Sequence, residues 1–391
     1  MRFQSYFNTA LVLIQGYDGS VPLAAYLKQY FAQHKKHGSK DRKYISHLCY
    51  CYFRLGHALQ NIPVEGRLKI ALFVCTDDIA GWTILFEEEW MNNHTALLRK
   101  RVAFMQTRYP LELTDIFPWH EELSDGIDVN VFALSHLVQP YLFLRTRPGK
   151  KSLVIQKLQQ AGITFEEPRG NAITLPNATK VDAVIELNKE AVVQDYSSQQ
   201  VQHFFSIIQP KAAQPITVWD CCAASGGKSI LAFDSFKKME LTVSDIRQSI
   251  INNLQQRFNE AGIKEYKKFV ADISSIQNLQ SAIGNMQYAL VVCDAPCTGS
   301  GTWARTPEQL FFFTEEKINH YSALQQKIVA NVIPHIKKDG YLLYITCSVF
   351  RQENENRVAE MLQSGLTLIE EKLIEGYTNR ADTMFAALFK K

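Results

Sequence analysis

Apolar residues recur at helical spacing through the first third of the chain. The pattern is clearest in ISHLCYCYFRLGHAL, which begins at Ile45, and in LKIALFVC, which ends at Cys75. Apolar side chains that repeat every three to four positions form one face of an amphipathic helix. An earlier apolar run, TALVLI, is too short for a membrane span or the core of a signal peptide. We therefore expect residues 1–125 to form a helical domain.

Residues 126–205 mix short strand-like and helical patterns. PYLFLRTRPGKK predicts a strand followed by a basic turn, and SLVIQKLQQAGI predicts a short helix that ends at Gly162. ITFEEPRGNAITL and VDAVIEL predict further short strands. The region therefore predicts a small α+β unit.

Beyond residue 206, apolar runs that resemble buried strands alternate with amphipathic segments. The strand-like runs are PITVWD, LTVSDI, ALVVCDAP and YLLYITCS, and one of the helical segments, QSIINNLQQRFNEAGI, closes at Gly262. This alternation is typical of a doubly wound α/β sheet. Ligands bind at the carboxyl ends of the strands in such sheets, so we expect the chemistry of residues 206–391 at those ends.

The composition narrows the class of protein without naming a function. The chain has 391 residues, which predicts two or three domains, and its net charge of +3 means that any surface for nucleic acid must be local. Eight cysteines without a CxxC pair predict neither a disulfide framework nor a zinc site. We expect a cytoplasmic protein with reduced thiols, no metal and no membrane segment.

Two basic stretches are candidate contacts for phosphate. HKKHGSKDRK, residues 34–43, is strongly basic, and a second cluster follows the strand in PYLFLRTRPGKK. The alternative for each is an ordinary solvated loop, but basic side chains are also what a nucleic-acid backbone requires. The candidate residues are Lys35, Lys36, Lys40, Arg42, Lys43, Arg145, Arg147, Lys150 and Lys151.

The turn after PITVWD has features of a nucleoside site. It reads DCCAASGGKS, and Gly226 and Gly227 allow a ligand to approach the backbone at the start of a helix. Asp245 ends the next strand, where a ribose is commonly bound, and Asp272 ends the strand after it. Each feature alone also fits a helix cap or a surface acid. Their order along the chain favours a nucleoside-type cofactor.

Two cysteines stand at strand ends in polar surroundings. Cys297 follows Asp294 in DAPC, and Cys347 ends the run YITC, whereas Cys49, Cys51, Cys75, Cys221 and Cys293 read as core residues. Two thiols and an acid suit methylation of carbon 5 of a pyrimidine. A thiolate that adds to carbon 6 makes carbon 5 nucleophilic, the acid stabilises charge on the ring, and the second thiol assists release.

These residues resemble the Sun-type RNA (cytosine-5)-methyltransferases. The family's CAAPGGK signature matches residues 222–228, with Ser225 in place of proline, and its DAPC, TCS and ENE motifs match residues 294–297, 346–348 and 353–355. The resemblance implies a Rossmann-like class I methyltransferase domain, S-adenosylmethionine as cofactor, Cys347 as nucleophile and Cys297 as the releasing thiol. The implied cofactor-binding residues are Cys222, Ala223, Ala224, Ser225, Gly226, Gly227, Lys228, Asp245, Asp272 and Asp294.

The resemblance extends more loosely upstream. PYLFLRTRP and VVQDYSSQQ are similar to the RNA-recognition-like region that precedes the family's catalytic domain, although Arg147 falls where many members have asparagine. SKDRKYISHLCYCYFRLG is similar to the helical antiterminator-like domain of bacterial members that act on small-subunit ribosomal RNA. The resemblance therefore implies RNA as partner, with ribosomal RNA ahead of transfer RNA, and a monomer.

Three other functions compete with this interpretation. DNA cytosine-5 methyltransferases resemble the chain in their Pro-Cys motif, but that single cysteine is their nucleophile, so the second thiol favours RNA. Enzymes that methylate an exocyclic amine use an acidic Pro-Pro-aromatic loop, which DAPC replaces here. A catalytically silent RNA-binding assembly factor would be expected to lack at least one of the two thiols.

Overall fold

The computed structural model describes residues 2–208 and 214–391. In chain order its helices are α1 (Arg2–Gln15), α2 (Leu23–Gln33), α3 (Ser39–Arg54), α4 (Val64–Cys75), α5 (Glu88–Asn93), α6 (Leu98–Gln106), α7 (Leu113–Ile116), α8 (Val129–His136), α9 (Lys151–Gln160), α10 (Tyr196–Gln200), α11 (Gln202–Ile207), α12 (Gly227–Ser235), α13 (Gln248–Ala261), α14 (Ile276–Ile283), α15 (Pro307–Phe311), α16 (Glu316–Val332) and α17 (Glu355–Gln363). The strands are β1 (Leu142–Thr146), β2 (Ala172–Leu175), β3 (Ala191–Val193), β4 (Ile216–Asp220), β5 (Met239–Asp245), β6 (Lys267–Val270), β7 (Tyr288–Asp294), β8 (Ile336–Thr346), β9 (Thr367–Ile374) and β10 (Met384–Lys390).

The first of two compact units is helical. It comprises residues 1–121, 127–139 and 303–314, and it contains α1 to α8 together with α15. Helix α3 packs against α1, α4 and α15, and its apolar side chains, among them Leu48 and Phe53, are buried. The buried guanidinium of Arg67 donates to the backbone carbonyls of Tyr52, Gly56 and Ala58. The predicted N-terminal helical region is confirmed.

The second unit contains a seven-stranded mixed sheet with the order β6-β5-β4-β7-β8-β10-β9. Strands β4 to β8 run parallel, while β10 pairs antiparallel with both β8 and β9. Helices lie on both faces, and the buried side chains form a separate apolar core on each side of the sheet. The predicted doubly wound α/β sheet is confirmed.

A small antiparallel sheet with the order β2-β1-β3 belongs to the same unit. Helix α9 packs on it through Val154 and Leu158. The prediction of a strand over VDAVIEL is wrong, because those residues form turns that end in an isolated bridge at Leu187, and the strand of this region is β3.

The compact units divide the chain differently from the expected boundaries at residues 125 and 205. Residues 140–205 lie in one compact unit with the large sheet, and residues 127–139 and 303–314 belong to the helical unit. A further finding is that none of the described helices has the length and apolar character to cross a membrane.

A buried ion pair ties the small sheet to α12. Arg145 and Arg147, from β1 and the turn after it, both donate to Asp234 at distances of 2.5 and 2.8 Å. Arg147 also donates to the carbonyls of Asn188 and Ala261. The two arginines are only 2% and 8% exposed. The expectation that they contact phosphate is corrected, because their guanidinium groups are committed to interior acceptors.

Candidate active site

Polar side chains converge at the carboxyl edge of the parallel strands. Asp220, Asp245 and Asp294 are the last residues of β4, β5 and β7. Asp272 lies two residues beyond the end of β6, and Cys347 follows directly after β8. Because these five strands are neighbours in the sheet, the structure brings together the predicted cofactor acids and the predicted thiols.

The loop between β4 and α12 is held in an unusual backbone conformation. Ala224 and Gly226 both have positive φ angles, of 45° and 81°, and the Ala223 N–H donates to the Ser244 carbonyl at 2.9 Å. A Cβ atom on Gly226 would lie 2.6 Å from the ring of Phe258, so glycine is required there on two grounds. The loop thereby places the N-terminus of α12 at the edge where the acids lie.

Ser225 is anchored by a side chain from α13. Arg257 donates from the same nitrogen to the Ser225 carbonyl at 2.8 Å and to its hydroxyl at 2.7 Å. The Arg257 Nε group also donates to Asn188 Oδ1 at 3.1 Å. Hydrogen bonds therefore restrain this turn, where the Sun-type signature has the ring of a proline.

The acids on β5 and β6 keep their carboxylates near the loop. Asp245 accepts from the Ala224 N–H at 3.2 Å and from the Arg247 N–H at 3.0 Å. Asp272 accepts from the N–H and the hydroxyl of Ser274. Carboxylate oxygens beside a helix N-terminus fit a ligand with hydroxyl groups, as a nucleoside ribose has.

Asp220 is a further acid at this edge that the sequence did not single out. Its Oδ2 accepts from the Ser229 hydroxyl at 2.6 Å, whereas its buried Oδ1 has no partner among the described residues. Burial raises the pKa of this carboxyl to about 7. An unpaired buried oxygen at a ligand-binding edge fits a site that is completed by a ligand or by water.

Lys228 and Asp294 form an ion pair across the edge. The Lys228 Nζ lies 3.1 Å from Asp294 Oδ2, and the lysine side chain is 9% exposed. The pair connects the start of α12 with the end of β7. It places a cation and a carboxylate next to the loop that carries Cys297.

The two predicted catalytic thiols are in contact. The sulfur atoms of Cys297 and Cys347 are 3.3 Å apart, and both residues are partly exposed. The Ala295 N–H donates to the Ile345 carbonyl, and the Gly301 N–H donates to the Cys347 carbonyl, each at 2.9 Å. The hydrogen bond to Cys347 and burial raise the pKa of the Cys297 thiol well above its ordinary value. One reacting atom can therefore lie within reach of both sulfurs.

Gly301 allows the two thiol loops to approach each other. A Cβ atom at this position would lie 1.9 Å from the Thr383 carbonyl oxygen and 3.0 Å from that of Cys347. A side chain would therefore push the backbone that follows β8 away from the loop that carries Cys297. The glycine after DAPCTGS is required by close backbone approach.

Glu353 connects the loops that carry Cys297 and Cys347 through buried hydrogen bonds. Its carboxylate, which is fully buried, accepts from the Thr298 N–H at 3.0 Å, the Thr298 hydroxyl at 2.6 Å and Gln325 at 2.9 Å. It also accepts from the Ser348 hydroxyl. Burial raises the pKa of this carboxyl, although the hydrogen bonds oppose that shift. The ENE motif gave its position, but the sequence did not reveal that it joins the residues after both cysteines.

Comparisons with known proteins address the second unit directly. Residues 206–385 match the family model described as 16S rRNA methyltransferase RsmB/F. Residues 206–385 are therefore similar to an RsmB/F-type methyltransferase domain. The resemblance to the Sun-type family is thereby confirmed for this domain, and the match covers slightly less than half of the chain.

Comparisons with individual relatives agree with this similarity. A ribosomal RNA small subunit methyltransferase B from Serratia proteamaculans (strain 568) is 27% identical over 286 residues, which are 69% of this chain and 58% of that protein. The chain spans about half the length of the curated relatives it matches.

Solved structures show the same fold. The crystal structure of PH0851 has a TM-score of 0.71 at 20% identity and covers 99% of this chain and 98% of its own. NSun6 from Pyrococcus horikoshii, solved with SFG, has a TM-score of 0.59 at 14% identity and covers 70% of this chain and 97% of its own. The predicted Rossmann-like methyltransferase fold is confirmed.

The predicted phosphate contacts outside the RsmB/F-type domain fall into two groups. The side chains in the first basic stretch are all exposed in the helical unit: Lys35, Lys36, Lys40, Arg42 and Lys43. In the second stretch Lys150 is exposed, whereas Lys151 pairs with Glu167 at 2.9 Å and donates to the Gly170 carbonyl. Only the first stretch therefore presents a continuous set of exposed cations.

Proposed function

We propose that the protein is an S-adenosylmethionine-dependent RNA methyltransferase that forms 5-methylcytosine, with ribosomal RNA as its substrate. The observation that carries this proposal is the pair of sulfur atoms 3.3 Å apart, beside Asp294 and next to a glycine-rich cofactor loop. Two thiols beside one pyrimidine ring suit an addition that must later be reversed.

The cofactor side of the reaction belongs to the loop and the strand-end acids. S-adenosylmethionine supplies the electrophilic methyl group when it is bound. Residues 222–228 would hold it at the loop, Asp245 would accept hydrogen bonds from the ribose hydroxyls, and Asp272 would serve the base. The positive φ of Gly226 and the bond from Arg257 to Ser225 preorganise this loop.

Cys347 acts as the nucleophile that attacks the pyrimidine ring. Its thiolate adds to carbon 6, the ring electrons move toward carbon 5, and carbon 5 takes the methyl group. The raised pKa of the Cys297 thiol favours that residue as the protonated partner of the pair, which supports Cys347 as the attacking sulfur.

Cys297 completes the cycle by removing the proton from carbon 5. Loss of that proton restores the double bond between carbons 5 and 6 and expels Cys347 as a thiolate. The hydrogen bond to Cys347 that raises this pKa is lost once Cys347 is bonded to carbon 6, so Cys297 can then release its own proton to solvent and act as the base.

Asp294 and Lys228 lie where they can stabilise negative charge on the pyrimidine ring. Addition of a thiolate to carbon 6 builds negative charge on the ring between its carbonyl oxygen and its ring nitrogen. Asp294 lies where it can form a hydrogen bond with the pyrimidine ring, and the Lys228 ammonium 3.1 Å from it stabilises nearby negative charge.

Ribosomal RNA is the substrate that the relatives' names favour, and exposed cations support an RNA backbone as ligand. The Serratia proteamaculans relative and the matched family model both carry ribosomal RNA methyltransferase names. The exposed stretch from Lys35 to Lys43 can contact phosphates. Transfer RNA is the alternative substrate, and bisulfite mapping of RNA from cells with and without the gene distinguishes the two.

The test of this function separates the two thiols. Cys297→Ala, Cys347→Ala and the double variant are incubated with S-adenosylmethionine and RNA and then run on denaturing gels. We expect a denaturant-resistant, RNase-sensitive band in Cys297→Ala, because addition and methyl transfer proceed but release stalls. The band should be missing in Cys347→Ala and in the double variant.

The same experiment contains the results that contradict the proposal. A band in Cys347→Ala would reverse the two roles, and full methylation activity in both folded variants would remove the thiols from the mechanism. A parallel reaction with DNA of the same sequence tests the competing DNA methyltransferase. Circular dichroism of each variant identifies any loss of activity that is due to unfolding.

A further inference from the structure

Three other cysteines cluster beneath the cofactor loop. The sulfur atoms of Cys221, Cys222 and Cys293 all lie within 4.8 Å of one another. Cys221 and Cys293 are fully buried, on the neighbouring strand ends of β4 and β7, and Cys222 is partly exposed. The Cys221 N–H donates to the Val292 carbonyl at 2.9 Å, which fixes the two strands in register beside the cluster.

The proposed methyl transfer leaves two of these thiols without a role. Only Cys222 belongs to the loop signature, and neither Cys221 nor Cys293 contacts the pair formed by Cys297 and Cys347 in the hydrogen bonds described above. Cys221 and Cys293 also pack in the apolar core on one face of the sheet, as buried cysteines commonly do, but packing does not require that three sulfur atoms meet.

The spacing of the sulfurs fits a metal ion. A tetrahedral ion with metal–sulfur bonds of about 2.3 Å places its sulfur ligands about 3.8 Å apart. Sulfurs that already lie within 4.8 Å of one another can reach that separation through small side-chain shifts. Thiolate ligands select soft ions such as zinc and cadmium over magnesium or calcium.

The charge around the cluster also favours a cation. Asp220 directly precedes Cys221, and Asp294 directly follows Cys293, so two carboxylates flank the three thiols along the chain. Asp294 also pairs with Lys228. A divalent cation would offset the negative charge that three thiolates add to this interior.

We propose that Cys221, Cys222 and Cys293 form a binding site for a thiophilic divalent d¹⁰ cation of the zinc type. The three sulfurs supply three ligands, and the partly exposed side of Cys222 leaves the fourth position open to water. Each thiol that coordinates loses its proton to solvent, so binding of one ion releases up to three protons. The site lies at the start of the cofactor loop, so the ion would fix that loop to β7.

The test uses cadmium as the probe, because thiolate-to-cadmium charge transfer gives an ultraviolet absorption band. The full-length protein is reduced, treated with a chelator, dialysed and titrated with Cd²⁺ without cofactor or RNA. We expect a saturable band at one equivalent, at least tenfold weaker binding in Cys221→Ser and in Cys293→Ser, and displacement of Cd²⁺ by Zn²⁺. Since neither RNA nor cofactor is present, the result is independent of the proposed methyl transfer.

Matched variants separate this site from the other thiols. Cys297→Ser and Cys347→Ser carry the same chemical change outside the cluster, and the step assigned to the cluster should persist in both. Cys222→Ser, at the partly exposed position, keeps the test informative if a buried variant fails to fold. A titration step that survives in Cys222→Ser and Cys293→Ser, or that vanishes in Cys347→Ser, overturns the proposal.

Discussion

At the scale of single residues, Glu353 connects the two loops that carry the predicted catalytic thiols. Its carboxylate accepts hydrogen bonds from Thr298, Ser348 and Gln325, and Thr298 and Ser348 each follow one of the two cysteines. A buried carboxylate that joins two loops holds them more rigidly than either loop holds itself. Glu353 is therefore a positioning residue for Cys297 and Cys347.

We expect Glu353→Gln to lower methyl transfer by about tenfold or more. Glutamine has one oxygen acceptor in place of two, so donors from Thr298 or Ser348 are left unpaired at about 1–3 kcal/mol each. The turnover number should fall more than the Michaelis constant for S-adenosylmethionine rises, because the cofactor acids are untouched. Glu355→Gln is the matched control, since Glu355 accepts from Ser124 and Asp125 rather than from either thiol loop. Equal effects in both variants would contradict this role.

The raised pKa of Glu353 predicts a pH dependence of stability. Because the folded protein binds this proton more tightly than the unfolded chain, the contribution is fully present below the ordinary value of 4.5 and is lost as the pH rises through the raised value. The free energy of unfolding of the wild type relative to Glu353→Gln should therefore decrease over that interval. Urea unfolding of both proteins at several pH values measures it, and a constant difference would show that the pKa is not raised.

Ser225 and Arg257 give a second prediction at this scale. Arg257→Ala removes both hydrogen bonds to Ser225 and should weaken S-adenosylmethionine binding several-fold, by about 1 kcal/mol. Adding Ser225→Pro should restore much of that affinity, because the proline ring fixes the backbone φ angle. Calorimetry of the single and double variants measures the effect, with Gln256→Ala on the exposed side of α13 as control. No rescue by proline would mean that Arg257 acts elsewhere.

The positions of some of these residues could be predicted from the sequence, and those of others could not. Asp245, Asp294, Cys297 and Cys347 all end or follow apolar runs, so the strand pattern alone predicted that they lie at one edge of the sheet. The environment of Arg145 could not be predicted in this way, because its partner Asp234 is 89 residues away and nothing local indicates burial. The role of Glu353 likewise depends on donors 28 and 55 residues away.

At the scale of elements, buried ion pairs with α12 fix the small sheet to the unit that contains the large sheet. Arg145 and Arg147 on and after β1 share Asp234 on α12, whose side chain is 4% exposed. The strands β4, β5, β7 and β8 were predictable because each is an apolar run between helical patterns. The pattern did not predict β9, since exposed and half-buried positions alternate over most of this strand and it contains Glu370 and Glu371.

Asp234→Asn should destabilise the second unit by about 3–5 kcal/mol, because it leaves two buried guanidinium groups without their counter-charge. Guanidinium or urea unfolding followed by circular dichroism measures the change. Glu167→Gln is the matched control, since Glu167 and its partner Lys151 are both accessible to solvent and such a pair contributes about 1 kcal/mol or less. Comparable effects of the two variants would show that the Asp234 pair is not important for stability.

At the scale of the whole molecule, the chain passes more than once between its two compact units. After the loop of Cys297, residues 303–314 join the helical unit, where Trp303 packs against Trp119 and Phe312 against Tyr17. A prediction that divides the chain into consecutive segments cannot find that residues 303–314 belong to the first unit. The aromatic partners of Trp303 and Phe312 lie far earlier in the chain, so no local pattern indicates these contacts.

The last prediction concerns RNA affinity and belongs to the helical unit. Each phosphate contact that is lost should reduce the slope of log affinity against log salt by about 0.7–0.9. Neutralising Lys35, Lys36 and Lys40 together should therefore lower the slope by about 2 and weaken binding at low salt, while S-adenosylmethionine binding is unchanged. Lys338→Gln, an exposed lysine on β8, is the control. Filter binding over a range of salt concentrations measures the slopes, and an unaltered slope in the triple variant would show that this basic stretch is only a solvated surface.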